Sequence, residues 1–260
     1  MDLKLRDKVA LVTGGSRGLG KTICLEMAAE GARVAVNYQS RRDLAEAVVS
    51  QITSVHGADA MPLAGDVADE ADVARMFDEV EARFGAVDVL VNNAAVCPTC
   101  LVKDMTEAQW RRTLEVNLTG TFLTCREMVR RRLAAAERRG ETTAGGRIVN
   151  VSSQAAFRGS TTGHAPYDAS KGGVVSLTVS LAREVAAAGI AVNAVAPGMM
   201  LTEMTARTLE ANKEKYLARI PLGRIADTAE IARVVVFLAS EAASYMTGAT
   251  VDVSGGLLMR

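Results

Sequence analysis

Short apolar runs alternate with longer amphipathic stretches along nearly the whole chain. Lys8 to Thr13, Arg33 to Asn37, Asp59 to Leu63, Val87 to Val91, Arg147 to Val151, Ile190 to Ala196 and Ala249 to Val253 read as strands. Each run is nearly continuous in Val, Ile, Leu and Ala, as expected of strands buried on both faces. Between them the apolar period lengthens to that of a helix. This predicts helices over about Lys21–Glu30, Asp43–Val55, Glu70–Phe84, Thr106–Val116, Leu118–Leu133 and Ala229–Ala239, with a further helix opening at Pro166. Strands separated by helices predict an α/β fold: one doubly wound domain of Rossmann type over residues 1–260, with a seven-stranded parallel sheet flanked by helices on both faces. No repeat, low-complexity tract or linker divides the chain.

Composition narrows the function classes. Thirty basic and thirty acidic side chains give a formal net charge of zero, so there is no electrostatic case for nucleic acid or an anionic membrane. No apolar run approaches the ~18 residues of a membrane span, and Met1 to Asp7 lacks the apolar centre of a signal peptide. The four cysteines are too few for a disulfide scaffold, and a cytoplasmic protein is expected. Nothing calls for a metal ion.

The first strand runs into Thr13-Gly14-Gly15-Ser16-Arg17-Gly18-Leu19-Gly20. Glycines at a strand-to-helix turn let backbone approach a pyrophosphate at the positive end of a helix dipole. The second strand ends in Tyr38, Gln39 and Ser40, without the carboxylate that would bind the ribose hydroxyls of NAD, and Arg41 and Arg42 follow. With Arg17, this composition favours NADP(H) over NAD(H). Asp66-Val67 lies just beyond the third strand, in position to meet an adenine. Asn92-Asn93-Ala94-Ala95 lies at the end of the fourth, where small residues leave room for a cofactor.

Proton-transfer chemistry concentrates further on. Ser152 and Ser153 end the fifth strand, and Tyr167 and Lys171 stand four apart on one helix face. An ammonium near a phenol favours the phenolate and lowers its pKa, while a nearby serine hydroxyl polarises a substrate oxygen. Asn117 interrupts a helix and could break its backbone ladder to hold a water. Cys97-Pro98-Thr99-Cys100 has dithiol spacing, but its place after the fourth strand suits a loop lining the substrate pocket. Gln154, Arg158, His164 and Cys97 are candidate pocket residues, and the stretch from about 199 to 221 reads as a lid.

These ordered motifs resemble those of the short-chain dehydrogenase/reductase family, over Lys8 to Gly256. The match is closest to the branch holding 3-oxoacyl-carrier-protein reductases and bacterial sugar, polyol and ketone dehydrogenases, a placement supported by Thr247-Gly248 and Val253-Ser254-Gly255-Gly256. The resemblance implies that Tyr167 is the general acid/base, that Lys171 lowers its pKa and binds the nicotinamide ribose, and that Ser153 orients the substrate oxygen. It implies that Asn117 holds a water linking Lys171 to solvent. It places Gly14, Ser16, Arg17, Gly18, Leu19, Gly20, Gln39, Ser40, Arg41, Asp66, Val67, Asn93, Pro197, Gly198, Met200 and Thr202 around the dinucleotide. It further implies a homotetramer built on the helices near Thr106–Leu133 and Tyr167–Ala187.

Ala95 departs from the glycine common in the family, and fourteen residues separate Ser153 from Tyr167, slightly more than usual. The Asn92 to Pro98 opening is more similar to sugar 1-dehydrogenases. The expected substrate is therefore a small polar sugar, polyol or hydroxy-ketone. The alternative is a 3-oxoacyl thioester on an acyl carrier protein, docked by Arg130 to Arg132, Arg138 and Arg139. A non-catalytic dinucleotide-binding regulator would not need Ser153, Tyr167 and Lys171 together.

Overall fold

The computed structural model describes residues 2–160, 162–202, 205 and 213–259. Seven strands pair in parallel in the order β3-β2-β1-β4-β5-β6-β7. They are β1 (Val9–Val12), β2 (Arg33–Tyr38), β3 (Ala60–Ala64), β4 (Val89–Asn92), β5 (Arg147–Val151), β6 (Ala191–Pro197) and β7 (Thr250–Val253). The main helices are α1 (Gly18–Ala29), α2 (Arg42–His56), α3 (Glu70–Phe84), α4 (Glu107–Leu114), α5 (Gly120–Arg139), the short α6 (Ala155–Arg158), α7 (Ala165–Val185) and α8 (Thr228–Leu238).

The alternation of side chains along each strand explains why the runs are apolar throughout. From β1, Ala10 and Val12 pack with Ile23 of α1, Val48 of α2 and Ile231 of α8. Val9 and Leu11 point the other way, into a core with Phe77 of α3, Met128 of α5 and Val185 of α7. Order reverses between β1 and β4, which opens a crevice beyond the carboxyl ends of these strands.

Two elements refine the expectation from sequence. The interruption at Asn117 is a π turn over Glu115–Thr119, joining α4 to α5 without a break in direction. Helix α5 runs on to Arg139, past the expected end at Leu133, and stops where Gly140 turns to a φ of 66°. Its last turns are held by ion pairs that composition alone does not show. Arg131 reaches Glu127, Asp78 and Glu81, and Arg132 reaches Asp88. Much of the expected lid, residues 203–204 and 206–212, lies outside the described residues.

A buried polar cluster locks the sheet to α5 and α7. Asn92 Nδ2 donates to Asn150 Oδ1 at 2.9 Å, Thr124 Oγ1 donates to Asn92 Oδ1 at 2.7 Å, and Asn150 Nδ2 donates to Thr178 Oγ1 at 2.9 Å. Orphaning a buried polar group costs about 1–3 kcal/mol. Asn150→Leu is therefore expected to lower unfolding free energy by roughly 2–4 kcal/mol in urea titrations. A change below 0.5 kcal/mol, about the scatter of surface substitutions, would mean that the cluster carries no stability.

Candidate active site

The glycine turn is shaped by backbone contact. Gly14 and Gly18 have φ of 61° and 53°, in the left-handed region. A Cβ on Gly20 would lie 2.2 Å from the Gly14 carbonyl oxygen, so α1 can approach the turn this closely only with glycine there. Two asparagine side chains pin the turn. Asn37 Oδ1 accepts from Gly14 N at 3.1 Å, and Asn93 Nδ2 donates to the carbonyls of Thr13 and Gly14 at 3.0 and 3.1 Å. Thr13 Oγ1 in turn accepts from the backbone N–H groups of Asn93 and Ala94.

The turn delivers the N-terminus of α1 with no side-chain cap and no acidic residue in its first turn. Its first N–H groups therefore lack intrahelical partners and face the crevice, which fits the pyrophosphate of a dinucleotide. Thr202 closes the same place from the other side: its Cβ would be 3.8 Å from a Cβ built on Gly18. Asn93 serves this cradle from behind, by shaping the turn.

At the adenine end, Asp66 Oδ2 accepts from Gln39 Nε2 at 2.8 Å and from Arg112 at 3.0 Å, and Val67 is buried beside it. Ser40 is exposed, Arg41 pairs with Asp43 at 2.7 Å, and Arg42 pairs with Glu46 at 2.8 Å. Such exposed pairs are weak, so a phosphate could displace the carboxylates at small cost. Arg112 was not legible as a neighbour of this site, because α4 joins it only in the folded chain.

The proton-transfer residues meet at the carboxyl ends of β4, β5 and β6. Ser153 Oγ accepts from Ala155 N at 3.1 Å, which leaves its O–H free to donate. Ser152 instead donates to the Lys171 carbonyl at 2.9 Å, a structural bond under the loop. The Gln154 N–H donates to the Pro197 carbonyl at 3.0 Å, and Gly198 N donates to the Val253 carbonyl at 3.0 Å. These bonds hold the loop after β6 against Ser153. Met200 is bridged in parallel to Ala226, on the path to Thr202.

Tyr167 and Lys171 do lie together, with Lys171 Nζ 5.7 Å from the Tyr167 ring centroid. The electrostatics differ from the expectation. Burial pushes the Tyr167 phenol well above its ordinary value, with a smaller push from Cys97, and a hydrogen bond with Ser153 opposes this. Burial lowers Lys171 to about 8. Its Nζ donates to the Val151 carbonyl at 2.6 Å, so the lysine does not depress the phenol in this arrangement.

Asn117 is fully buried and its amide is committed to protein. Nδ2 donates to the Val96 carbonyl at 2.9 Å and to Ser170 Oγ at 3.0 Å, and Oδ1 accepts from Val96 N at 2.8 Å. Both donors of the expected water-holding side chain are spent on tying the loop after β4 to α7. Ser170, which donates to the Tyr167 carbonyl at 2.7 Å, was missed in the sequence. Its spacing of three from Tyr167 is the signal that could have found it.

The expected pocket residues divide. Cys97 is half-buried and its thiol is pushed up to about 11 by burial, then by Asp168. That is the opposite of an activated redox thiol. His164 spends both ring nitrogens, on Thr99 Oγ1 and Thr162 Oγ1, each at 3.0 Å. Arg158 donates to the Leu257 carbonyl. The Cys97–Cys100 loop is fastened to the α6–α7 loop, since Cys100 N donates to the Gly163 carbonyl at 2.8 Å. Asp168 secures that second loop by accepting from Ser160 N and Oγ, both at 2.7 Å.

Comparison with known proteins agrees with this geometry. Residues 14–258 match the family model described as enoyl-(acyl carrier protein) reductase. The chain belongs to the short-chain dehydrogenase/reductase family, and it is an NAD(P)(H)-dependent oxidoreductase of the CH–OH/carbonyl couple. It is 43% identical over 256 residues to the 3-oxoacyl-[acyl-carrier-protein] reductase of Staphylococcus aureus, covering 97% of this chain and 98% of that one. It is 39% identical over 257 residues to the enzyme of the same description from Aquifex aeolicus, covering 99% and 100%. The crystal structure of gox2181 superposes with a TM-score of 0.92 at 34% identity, covering 98% and 97% of the two chains.

The Lys171 shift makes a stability prediction. Its folded pKa lies below the unfolded 10.5, so between about 8 and 10.5 the unfolded chain holds more protons. Stability attributable to this group therefore rises with pH through that window, and below about pH 8 the full cost of a buried ammonium is present. Lys171→Met is expected to raise unfolding free energy at pH 7 by on the order of 1–3 kcal/mol, with the gain vanishing above pH 10.5. Urea titrations at pH 7 and near pH 11 check this, and a destabilised variant at pH 7 would contradict it.

Proposed function

We propose that the chain is an NADP(H)-dependent reductase of 3-oxoacyl thioesters carried on an acyl carrier protein. The observation that carries this reading is full-length similarity to relatives described as 3-oxoacyl-[acyl-carrier-protein] reductases, at 39–43% identity. It joins a site that brings Ser153, Tyr167 and Lys171 together beyond the carboxyl end of the sheet. The sugar or polyol reading loses ground. Of its polar candidates, His164 has both ring nitrogens engaged, on Thr99 and Thr162, and Arg158 is drawn to the Leu257 carbonyl.

Gly14, Ser16, Arg17, Gly18, Leu19 and Gly20 hold the pyrophosphate, Asp66 and Val67 the adenine end, and Pro197, Gly198, Met200 and Thr202 the opposite wall. The bound nicotinamide supplies the hydride. Ser153, which accepts from Ala155 N and is hydrogen-bonded with Tyr167, places its hydroxyl beside the phenol, where it can donate to the substrate oxygen. Tyr167 donates its proton to that oxygen as negative charge develops there. Lys171 lies at the inner end of this proton path and meets the nicotinamide ribose. The Asn117 amide is spent on Val96 and Ser170 and its carbonyl accepts from Thr121 Oγ1 at 2.8 Å, so a water on the path from Lys171 to solvent would use the second lone pair of that carbonyl.

Carrier docking by the basic stretch of α5 also changes. Arg131 and Arg132 are held in part-buried ion pairs and Arg139 pairs with Glu141 at 2.7 Å, whereas Arg130 pairs with Glu127 at 3.3 Å and its side chain is 68% exposed. Arg130 and Arg138 remain as docking charges. A homotetramer, built on the helices near Thr106–Leu133 and Tyr167–Ala187, is part of the proposal. No helix among the described residues is long and apolar enough to cross a membrane.

Turnover of a 3-oxoacyl group on carrier protein, and of the same group on a small thiol, tests the reading with NADPH and NADH. Expected are NADPH preference and carrier turnover that falls with ionic strength. Absent thioester turnover alongside strong sugar oxidation would overturn it. Tyr167→Phe is expected to cost about 10²–10⁴ in kcat while cofactor binding persists. Full turnover by that variant would move the proton transfer elsewhere.

A further inference from the structure

Asp66, in the loop between β3 and α3, is held by donors from several parts of the fold. Its backbone N–H donates to Asp72 Oδ2 at 2.9 Å. Its Oδ1 accepts from Ala68 N at 2.9 Å, and its Oδ2 accepts from Gln39 Nε2 at 2.8 Å and Arg112 Nη2 at 3.0 Å. Gln39 follows β2, Ala68 precedes α3 and Arg112 belongs to α4. A carboxylate has about four acceptor positions, two on each oxygen. Both on Oδ2 are filled and one on Oδ1 is filled, which leaves a single position, on Oδ1, for a ligand.

The approach of Arg112 is built into the helix that carries it. A capping box between Thr106 and Gln109 starts α4, which runs through the π turn into α5 at Gly120. A Cβ on Gly120 would lie 2.8 Å from Val67 Cγ2, so glycine lets this junction press against the loop that carries Asp66. That close approach brings Arg112 to the Asp66 carboxylate. The next nearest carboxylate, on Glu115, stands 4.0 Å away, so Asp66 is the chief partner. The Arg112 side chain is 46% exposed, and an ion pair this open adds little to folding stability. What Arg112 supplies is orientation: with Gln39 it occupies Oδ2 and leaves Oδ1 to meet one N–H donor.

We propose that Arg112 is a positioning residue for cofactor selectivity. With Gln39 it fixes Asp66 so that the carboxylate accepts from an amino group on the cofactor's base and rejects a base with a carbonyl oxygen in that place. The inference rests on the proposed placing of Asp66 at the adenine end. Gln39 then acts through Asp66, where its Nε2 is already engaged.

Fluorescence titration of the intact protein with NADPH, and with reduced nicotinamide hypoxanthine dinucleotide phosphate, tests this without any acyl substrate. The second dinucleotide carries oxygen in place of the adenine amino group. The unaltered chain is expected to bind NADPH at least about tenfold more tightly, the worth of one hydrogen bond to a charged group. Arg112→Met should cut that ratio by about threefold or more, by weakening NADPH while the hypoxanthine form changes little. Arg112→Lys keeps a charged donor without the planar fork and should restore part of the ratio. Both variants should melt as the unaltered chain does. A ratio near one in the unaltered chain would take Asp66 away from the base and overturn its proposed placing together with the role of Arg112. A tenfold ratio that Arg112→Met leaves intact, or an equal loss of both dinucleotides in that variant, would overturn the role of Arg112 alone.

Discussion

A parallel sheet covered on both faces sends its chain out through one edge, where backbone N–H and C=O groups lose regular partners in a place short of water. That constraint organises the working end of this molecule. Three loops leaving the carboxyl edge are satisfied by short polar side chains at strand ends: Asn37 of β2 and Asn93 beyond β4 hold the turn after β1, Thr13 holds the start of the loop after β4, and Ser153 holds the loop after β5. Under the proposed function, the groups that satisfy the backbone are the same ones that would fix where a dinucleotide and a carbonyl sit. Catalytic precision here is a by-product of solving a solvation problem.

The same economy runs from the sheet into the helices. Asn117, at the π turn, takes both polar groups of Val96 and passes on to Ser170, which holds the Tyr167 carbonyl. The loop after β4, the π turn and the helix bearing Tyr167 are therefore parts of one hydrogen-bonded frame. Tyr167, mounted this way, keeps its place through a bond to its backbone carbonyl, and its hydroxyl meets Ser153.

Much of this was legible in the sequence because parallel strands and amphipathic helices have different periods, and because glycine, proline and asparagine mark their junctions. Seven strands, the glycine turn and the Ser153, Tyr167 and Lys171 set could be placed from those signals. What stayed hidden depends on contacts between distant segments. The place of α5 is fixed by Arg131 and Arg132 reaching α3 and Asp88, which no local pattern encodes. Whether Lys171 depresses the Tyr167 phenol depends on where its ammonium points, and it points at Val151. Arg158 and His164 looked free in the sequence because their partners lie at the chain's end and in another loop.

The fastening of the Cys97–Cys100 loop to the Thr162–His164 segment bears on how this scaffold can be altered. Cys100 N bonds the Gly163 carbonyl, Thr99 bonds His164, and a Cβ on Gly163 would meet the Cys100 carbonyl carbon at 2.8 Å. The two segments are some sixty residues apart in the chain, yet they behave as one piece of wall. Exchanging either alone for a homologous loop would strand the bonds of the other. Diversification of this wall, by breeding or by design, has to move both segments as a matched cassette.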